Sequence, residues 1–576
     1  MRRAVPLRAS RSSLRAPAAE GFIMAGASLL LAYLAIVPVA TMLYASLHVG
    51  FLSDSAHWSL ANYTRAFSDP AFYRLLGNTL AYGAAVAVLA IVLGFGLAFL
   101  YARTDAPLRR LGMATAIVPL ILPGILNTVS WLFLASPRIG ILNAIAQTLT
   151  TLRPFNVYSL PGMVFVQAMH VAPTAFIMAV ATFSSMDPAM EEAAVSSGAG
   201  SLTAFRRVTL GLARPAIVAA ALLVFIQTIS SFEVPQLIGV PANVSVFTTQ
   251  IYGALQAFPP DYGGAAAMGG VVLVIAAAGV AFANRLNSAG RHATVTGKAF
   301  RPRRIELGPM RPLAGAAIVA FFTIAVALPL AVLLWVSFLP GFEIPSLAAL
   351  RHLTSANYVT MWNYPLIRQS MLNSTIVSLI AGAIVTVLTA IVAYVTLKSR
   401  VRFAWLLDVL VSLPIAVPSI LMGVGILFWY LVAPLPFHLY GTLALLVVGF
   451  VTIGIPYGMR YASSGLAQIR DELEEAAAAS GADWLTRFWR IYVPLLMPSL
   501  LAGFLTTVIV AYREISAAIF LYSQGSEVVA IAIFDLWSNG QYPAIAALGC
   551  VLVVFLFGLV SIVQRVGGRL GLGAAS

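Results

Sequence analysis

Charge is scarce in this chain. Asp, Glu, Lys and Arg supply 9% of its 576 residues and 60% of positions are hydrophobic, whereas an ordinary soluble domain is roughly 25% charged. With a mean hydropathy of +0.92, that balance excludes a soluble fold. Cysteine is reduced to Cys550, so no internal disulfide forms, and its place in an apolar run reads as packing. No set of His, Cys and carboxylate residues has metal-ligand spacing, and no nucleophile stands with a base in a hydrolytic pattern. No resident metal, cofactor or catalysis is therefore expected in the chain. The phosphate-binding pattern G-x-x-x-x-G-K-[ST] is missing too, because Gly297-Lys298 lacks the upstream glycine. Nucleotide chemistry must then come from a partner. The apolar stretches do not alternate, which argues against a membrane β-barrel.

What the sequence does have is apolar runs of about 20 residues or more, each able to cross a hydrocarbon core of about 30 Å as a helix. They predict an all-α transmembrane fold with twelve spans, at 22–47, 79–101, 111–135, 160–183, 214–236, 264–284, 312–338, 373–397, 403–430, 439–462, 494–518 and 541–563. Threaded from a cytoplasmic N-terminus, these spans leave most of the 34 Lys and Arg inside, so both termini are expected in the cytoplasm. The net charge of +14 reflects that bias and not nucleic-acid binding. Arg2, Arg3, Arg8, Arg11 and Arg15 precede a first run too long for a signal-peptide core, which reads as an uncleaved first helix.

The chain repeats itself. Asn62-Tyr63, Asn78, Pro119 and Pro123 recur 295 positions later as Asn357-Tyr358, Asn373, Pro414 and Pro418. Pro173, the stretch 191–198 and Pro215 recur after 283 as Pro456, 474–481 and Pro498. The change of offset falls where the first copy has an extra external stretch, Arg138–Tyr158. Six spans per copy is an even number, so the copies enter the membrane in the same direction and form a pseudo-dimer about the membrane normal. The expected organisation is a cytoplasmic tail (1–21), a first half (22–284), a basic cytoplasmic linker (285–311), a second half (312–563) and a second tail (564–576). The linker holds Arg285, Arg291, Lys298, Arg301, Arg303, Arg304 and Arg311 against Glu306. It reads as a solvated tether, able to touch anionic lipid.

In each half the loop between the fourth and fifth spans carries helix signals. Asp187 is a good N-cap, Pro188 suits a first turn and Gly198 a stop, with Glu191-Glu192-Ala193-Ala194 between them. In the second copy Asp471 and Glu474 have capping-box spacing, Glu475-Ala476-Ala477 follows and Gly481 ends the helix. Small alanines let a partner's backbone approach closely while the carboxylates reach for cations. Each helix is therefore a docking peg, and recurrence at the same place argues against a helix that merely lies at the headgroups.

These loops resemble those of the inner-membrane permeases of ABC-type importers, which read E-A-A, three residues, G, nine residues, then I-x-L-P. Here the strings are Glu475-Ala476-Ala477, Gly481, Ile491, Val493, Pro494 and Glu192-Ala193-Ala194, Gly198, Val208, Leu210, Gly211. Gly211 departs from the family's proline. The resemblance covers nearly the whole chain and implies two homologous six-helix, MetI-like (type I) halves in a bacterial inner membrane. It further implies two cytoplasmic ATPase subunits docked on the loops and a periplasmic solute-binding protein that delivers the substrate. Ser136-Pro137-Arg138-Ile139-Gly140, Glu514-Ile515-Ser516-Ala517 and Asn539-Gly540-Gln541-Tyr542 are similar to ferric iron permeases, while thiamine, 2-aminoethylphosphonate and polyamine permeases share the same layout.

Ionisable residues inside spans are functional candidates. Glu233 and the pair Arg513-Glu514 fall near the outer ends of the fifth and eleventh spans, either facing the path or sitting at the interface. His170 reads as a packed hydrogen bonder. Pro123 and Pro418 interrupt spans that line a path in some transporters, although a packing kink is the more economical reading. A secondary transporter, the main competitor, needs buried carboxylates that this chain hardly supplies and gives the paired loops no purpose; a channel would carry flux independent of ATP.

Overall fold

The computed structural model describes residues 18–53, 55–187, 189–288, 304–398, 404–433, 436 and 438–569. The Arg-rich start, Pro188 and residues 289–303 of the linker lie outside them. The first half contains α1 (Ala18–Ser46), α2 (Pro70–Arg103), α3 (Arg109–Ile121), α4 (Gly124–Ala135), α5 (Leu160–Ser185), α6 (Ala189–Ser196), α7 (Leu210–Ser230) and α8 (Tyr262–Ser288). The second contains α9 (Arg311–Phe322), α10 (Leu328–Ser337), α11 (Pro365–Leu397), α12 (Ala404–Ala416), α13 (Ser419–Val432), α14 (Leu443–Leu466), α15 (Asp471–Ala479), α16 (Val493–Arg513) and α17 (Tyr542–Arg569). Among the described residues ten helical stretches are long and apolar enough to cross a membrane, and two bent pairs bring the number to twelve if each pair counts once.

Helix starts follow local chemistry. Pro70 opens α2 at a position that needs no N–H, and the Asp69 side chain accepts from Ala71 N at 2.8 Å. Pro365 opens α11 at the equivalent position, without a side-chain cap. Both helices therefore begin some eight residues before the expected apolar boundaries at 79 and 373. Asn62 and Asn357, repeat equivalents, each donate Nδ2 to two backbone carbonyls at the end of the first membrane helix of their half, Ser46 and His48 in one case, Ser337 and Leu339 in the other.

Three helices pack mutually at the centre of each half, α2, α5 and α7 in one and α11, α14 and α16 in the other. Gly94 allows the closest approach of α2 to α5: a β-carbon there would lie 2.8 Å from both Ala172 O and Phe176 N. The first helices then reach across between the halves. α1 lies along α12 and α13 of the second half as well as α8 of its own, and α10 packs on α4 of the first as well as α17 of its own. Trp429 Nε1 donates to Tyr33 Oη at 2.8 Å, and Tyr33 Oη meets Tyr430 Oη at 3.1 Å.

The third and ninth expected spans are not continuous helices with a kink. α3 turns into α4 through 107° and α12 into α13 through 105°. Pro123 and Pro418 cannot donate to the preceding turn, and the N–H groups at 126–127 and 421–422 turn to the proline carbonyls themselves. Thirteen residues of α3 rise only about 20 Å, short of a membrane. α4 then runs sideways through the protein with all twelve of its residues buried. Such a break is tolerated at membrane depth only where protein surrounds it.

The linker is not wholly a solvated tether. Ile305 pairs with the turn between α2 and α3, donating to Arg103 O at 2.8 Å and accepting from Asp105 N at 3.2 Å, and Arg311 lies 3.6 Å from Asp105 Oδ2.

The reach of α1 across the halves makes a sharp prediction. Gly425 on α13 faces the Pro38 backbone so closely that a β-carbon would collide with the carbonyl, whereas nothing lies within 4 Å of such a carbon at Gly26 on α1. Gly425→Ala should cost about 1–3 kcal/mol through overpacking, read as a lower melting temperature in detergent, and Gly26→Ala should leave it unchanged.

Candidate functional site

The short helix of the first loop starts as expected, and those of both loops end as expected. Asp187 Oδ1 accepts from Ala189 N at 2.9 Å, and the chain leaves each short helix through a left-handed glycine, Gly198 at φ +89° and Gly481 at φ +81°. Within each Glu-Glu pair the roles divide. Glu191 is drawn inward: Arg103 Nη2 lies 2.6 Å from Oε2 and Thr209 Oγ1 donates to Oε1 at 2.6 Å. Glu474 accepts from Tyr394 Oη at 3.1 Å, Arg487 Nη1 at 3.1 Å and Tyr492 Oη at 2.5 Å. The following glutamates, Glu192 and Glu475, are exposed, as are Ala193 and Ala476, while Ala194 and Ala477 are half-buried.

The anchors obey the repeat although their chemistry differs. Arg103 and Lys398 are equivalent, and each donates to the carbonyl just after the fourth membrane helix of its half, Met186 O at 3.3 Å and Ile469 O at 2.8 Å. Thr209 stands where Tyr492 stands in the other copy. Phe205 and Phe488 pack on the equivalent rings of Phe99 and Tyr394 at 4.8 and 6.1 Å. Gly211 and Pro494 make no difference to the exit, since both loops rejoin the membrane helix through one five-residue π-turn, Phe205–Thr209 and Phe488–Tyr492. Arg103 and Lys398 escaped the sequence reading, although the offset of 295 relates them.

The second concentration of polar groups lies at the helix breaks, about 20 Å from the loop-side end of α3. A β-carbon on Gly124, the first residue of α4, would run into the Glu233 carboxylate and lie 3.3 Å from His170 Nε2. In the second half Glu514 lies within interaction range of Ser419, the repeat equivalent of Gly124, and accepts from Ala517 N at 3.0 Å. Each break thus presents a helix N-terminus to a glutamate, a favourable pairing of charge and helix dipole. Arg513 crosses between the halves: Nη1 donates to Leu120 O, the carbonyl freed by the break, and Nη2 lies 3.2 Å from His170 Nε2. Since a guanidinium only donates, His170 Nε2 accepts and the ring proton sits on Nδ1. Pro123, Pro418, Glu233, Arg513 and Glu514 are therefore brought together. His170, read from sequence as a packed hydrogen bonder, is one and belongs with them. Among the described residues no group of three or more His, Cys, Asp or Glu could hold a metal ion.

Two copies of the loop on one side of two interlocked six-helix halves match a known pattern. Residues 87–291 and 386–570 both match the family described as the inner membrane component of binding-protein-dependent transport systems. The chain belongs to that family. This permease is 25% identical over 525 residues to the ferric transport system permease protein FbpB of Actinobacillus pleuropneumoniae, covering 89% of this chain and 74% of the relative. A second permease named for ferric transport, from Haemophilus influenzae, is 25% identical over 84% of this chain and 76% of its own. A permease named for 2-aminoethylphosphonate transport, from Salmonella paratyphi A, is 27% identical over 45% of this chain and 96% of its own. The protein is thus a multi-pass inner-membrane importer permease of the ABC class, with both permease domains fused in one chain.

The buried ion pair in the first loop is testable. Arg103 is fully buried, so Glu191→Ala strands its charge at a cost of about 3–5 kcal/mol. Tryptic cleavage within 187–210 of the permease in detergent should accelerate markedly, whereas Ser197→Ala, on an exposed hydroxyl bonded to Ala193 O, should leave the rate unchanged.

Proposed function

We propose that this permease imports ferric iron handed over by a periplasmic binding protein, driven by two cytoplasmic ATPase subunits that seat on the loops around Glu191–Gly198 and Glu474–Gly481. The supporting observation is the division of labour within each loop. The first glutamate ties the short helix rigidly to its membrane half, and the second presents an exposed carboxylate beside exposed alanine. A rigid peg transmits displacement, so closure of two ATPase subunits would move α2, α5 and α7 against α11, α14 and α16. ATP is then bound and hydrolysed by the partners and not by this chain. The loops, and with them both termini, lie on the cytoplasmic side, in keeping with the excess of Lys and Arg there.

Glu233, Arg513 and Glu514, at the breaks marked by Pro123 and Pro418, line the path between the halves. Each keeps part of its surface accessible although the neighbouring stretches are buried. Iron is favoured as cargo because the relatives named for ferric transport align along most of the chain. The second reading, 2-aminoethylphosphonate, rests on a relative that aligns with 45% of the chain.

Two measurements test this. The double substitution Glu192→Lys with Glu475→Lys should reduce uptake to background while the membrane level of the permease stays within about twofold; unimpaired uptake would refute the docking role. Uptake of labelled ferric iron, thiamine, 2-aminoethylphosphonate and putrescine, compared with and without the chain, should show a deficit in iron alone, and a deficit confined to another solute would reassign the cargo.

A further inference from the structure

Among the described residues seven buried side-chain nitrogen or oxygen atoms lack a hydrogen-bond partner. Arg103 Nε and Arg487 Nε belong to the loop anchors. The other five are Asn127 Nδ2, Trp131 Nε1, Gln167 Oε1, His170 Nδ1 and Arg513 Nε, and all belong to one place. Gly124 at the start of α4 lies beside His170 on α5, and the Trp131 ring meets Phe165 at 4.7 Å further along. α4 and α5 therefore run side by side in opposite directions, with Asn127 beside the level of Gln167. The result is a file about 10 Å long that ends at Arg513. Asn127 and Gln167 are each 2% exposed and Trp131 is 4% exposed. A buried polar group without a partner costs free energy, and native proteins keep such groups mainly where a partner or function requires them.

The repeat shows that the fold does not require them. Asn127 and Trp131 correspond to Met422 and Ile426, and Gln167 and His170 to Phe450 and Ile453. The second half builds the same broken helix and the same α13 and α14 with apolar residues at all four positions.

We propose that this file, present in the first half alone, is a site at which the cargo halts in transit, and that it recognises the oxygen atoms around the metal and not the bare ion. With the His170 proton on Nδ1, the unpartnered atoms comprise four donors and one acceptor. N–H groups repel a bare cation and bind oxygen. At the Arg513 end Glu233 and Glu514 lie within electrostatic reach of one another and of the guanidinium, so carboxyl oxygens stand at that end of the file. The ligand class is a hard cation carrying its own oxygen ligands, and this identification rests on the iron reading above.

The test uses Asn127→Met, the residue of the second copy, Trp131→Phe, which keeps the ring and removes its N–H, and Gln167→Met. In the complete transporter each should lower ferric iron uptake at least tenfold, while the ligand-free melting temperature stays equal to or above that of the unaltered chain, because no bonded partner is lost. Adding ferric citrate should raise the melting temperature of the unaltered chain and not of the variants; citrate and inorganic phosphate alone, run in parallel, show whether free oxyanions suffice. Uptake within twofold of normal in all three variants overturns the site, as does loss of uptake with a fall in melting temperature, or no shift with any of the three probes. If the variants abolish a citrate or phosphate shift but removing the whole chain leaves iron uptake intact, the site stands and the iron reading falls.

Discussion

Hydrocarbon offers no water to a backbone carbonyl or amide, and the architecture of this permease follows from two places where it nevertheless breaks its helices. At Pro123 and Pro418 the chain turns by more than a right angle inside the bundle. The consequences must be absorbed locally. α4 is wrapped on every side, the carbonyl freed at Leu120 is taken by Arg513 from the other half, and each new helix N-terminus receives a glutamate. A straight helix would have needed none of this, so the ionisable residues at the centre are there partly because of the breaks. Having been brought there, they stand where the proposed path runs between the halves.

Duplication has treated the two regions differently. At the loops both copies retain the same geometry while substituting the chemistry, arginine for lysine and threonine for tyrosine, because what is conserved by the fold is the tie between the first glutamate and the membrane helices. At the centre the copies have parted. One half offers a file of amide, indole and imidazole groups, the other methionine, isoleucine and phenylalanine. Symmetry is kept at the proposed docking loops and relaxed at the proposed cargo site.

Much of this was legible in the sequence. Apolar length predicts the helices, the offsets of 295 and 283 reveal the halves, and the glycines at 198 and 481 mark where the loop helices end. What was not legible is geometry that depends on distant partners. A proline announces an interruption, but whether it is a mild kink or a turn of 107° depends on whether protein or lipid surrounds the next turn. Arg513 and Leu120 are almost 400 positions apart and share no motif. Glu191 and Glu192 are adjacent and chemically identical, and only the burial of Arg103 tells which one faces inward. His170 reads as a packed hydrogen bonder, but its neighbours, Gly124 and Arg513, come from other helices and could not be named.

The reach of the first helices across the halves also sets an order of events during synthesis. α1 is the first helix made, yet the surface it rests on, including Gly425, Trp429 and Tyr430, emerges about 390 residues later, a delay of roughly 20–80 s at ordinary rates of translation. For that interval Tyr33 lacks its partners Trp429 and Tyr430, and α1 has only the wall that α8 of its own half provides. Neither half can be finished before the other exists, so a ribosome that stalls after α8 leaves in the membrane an incomplete object and not half a transporter.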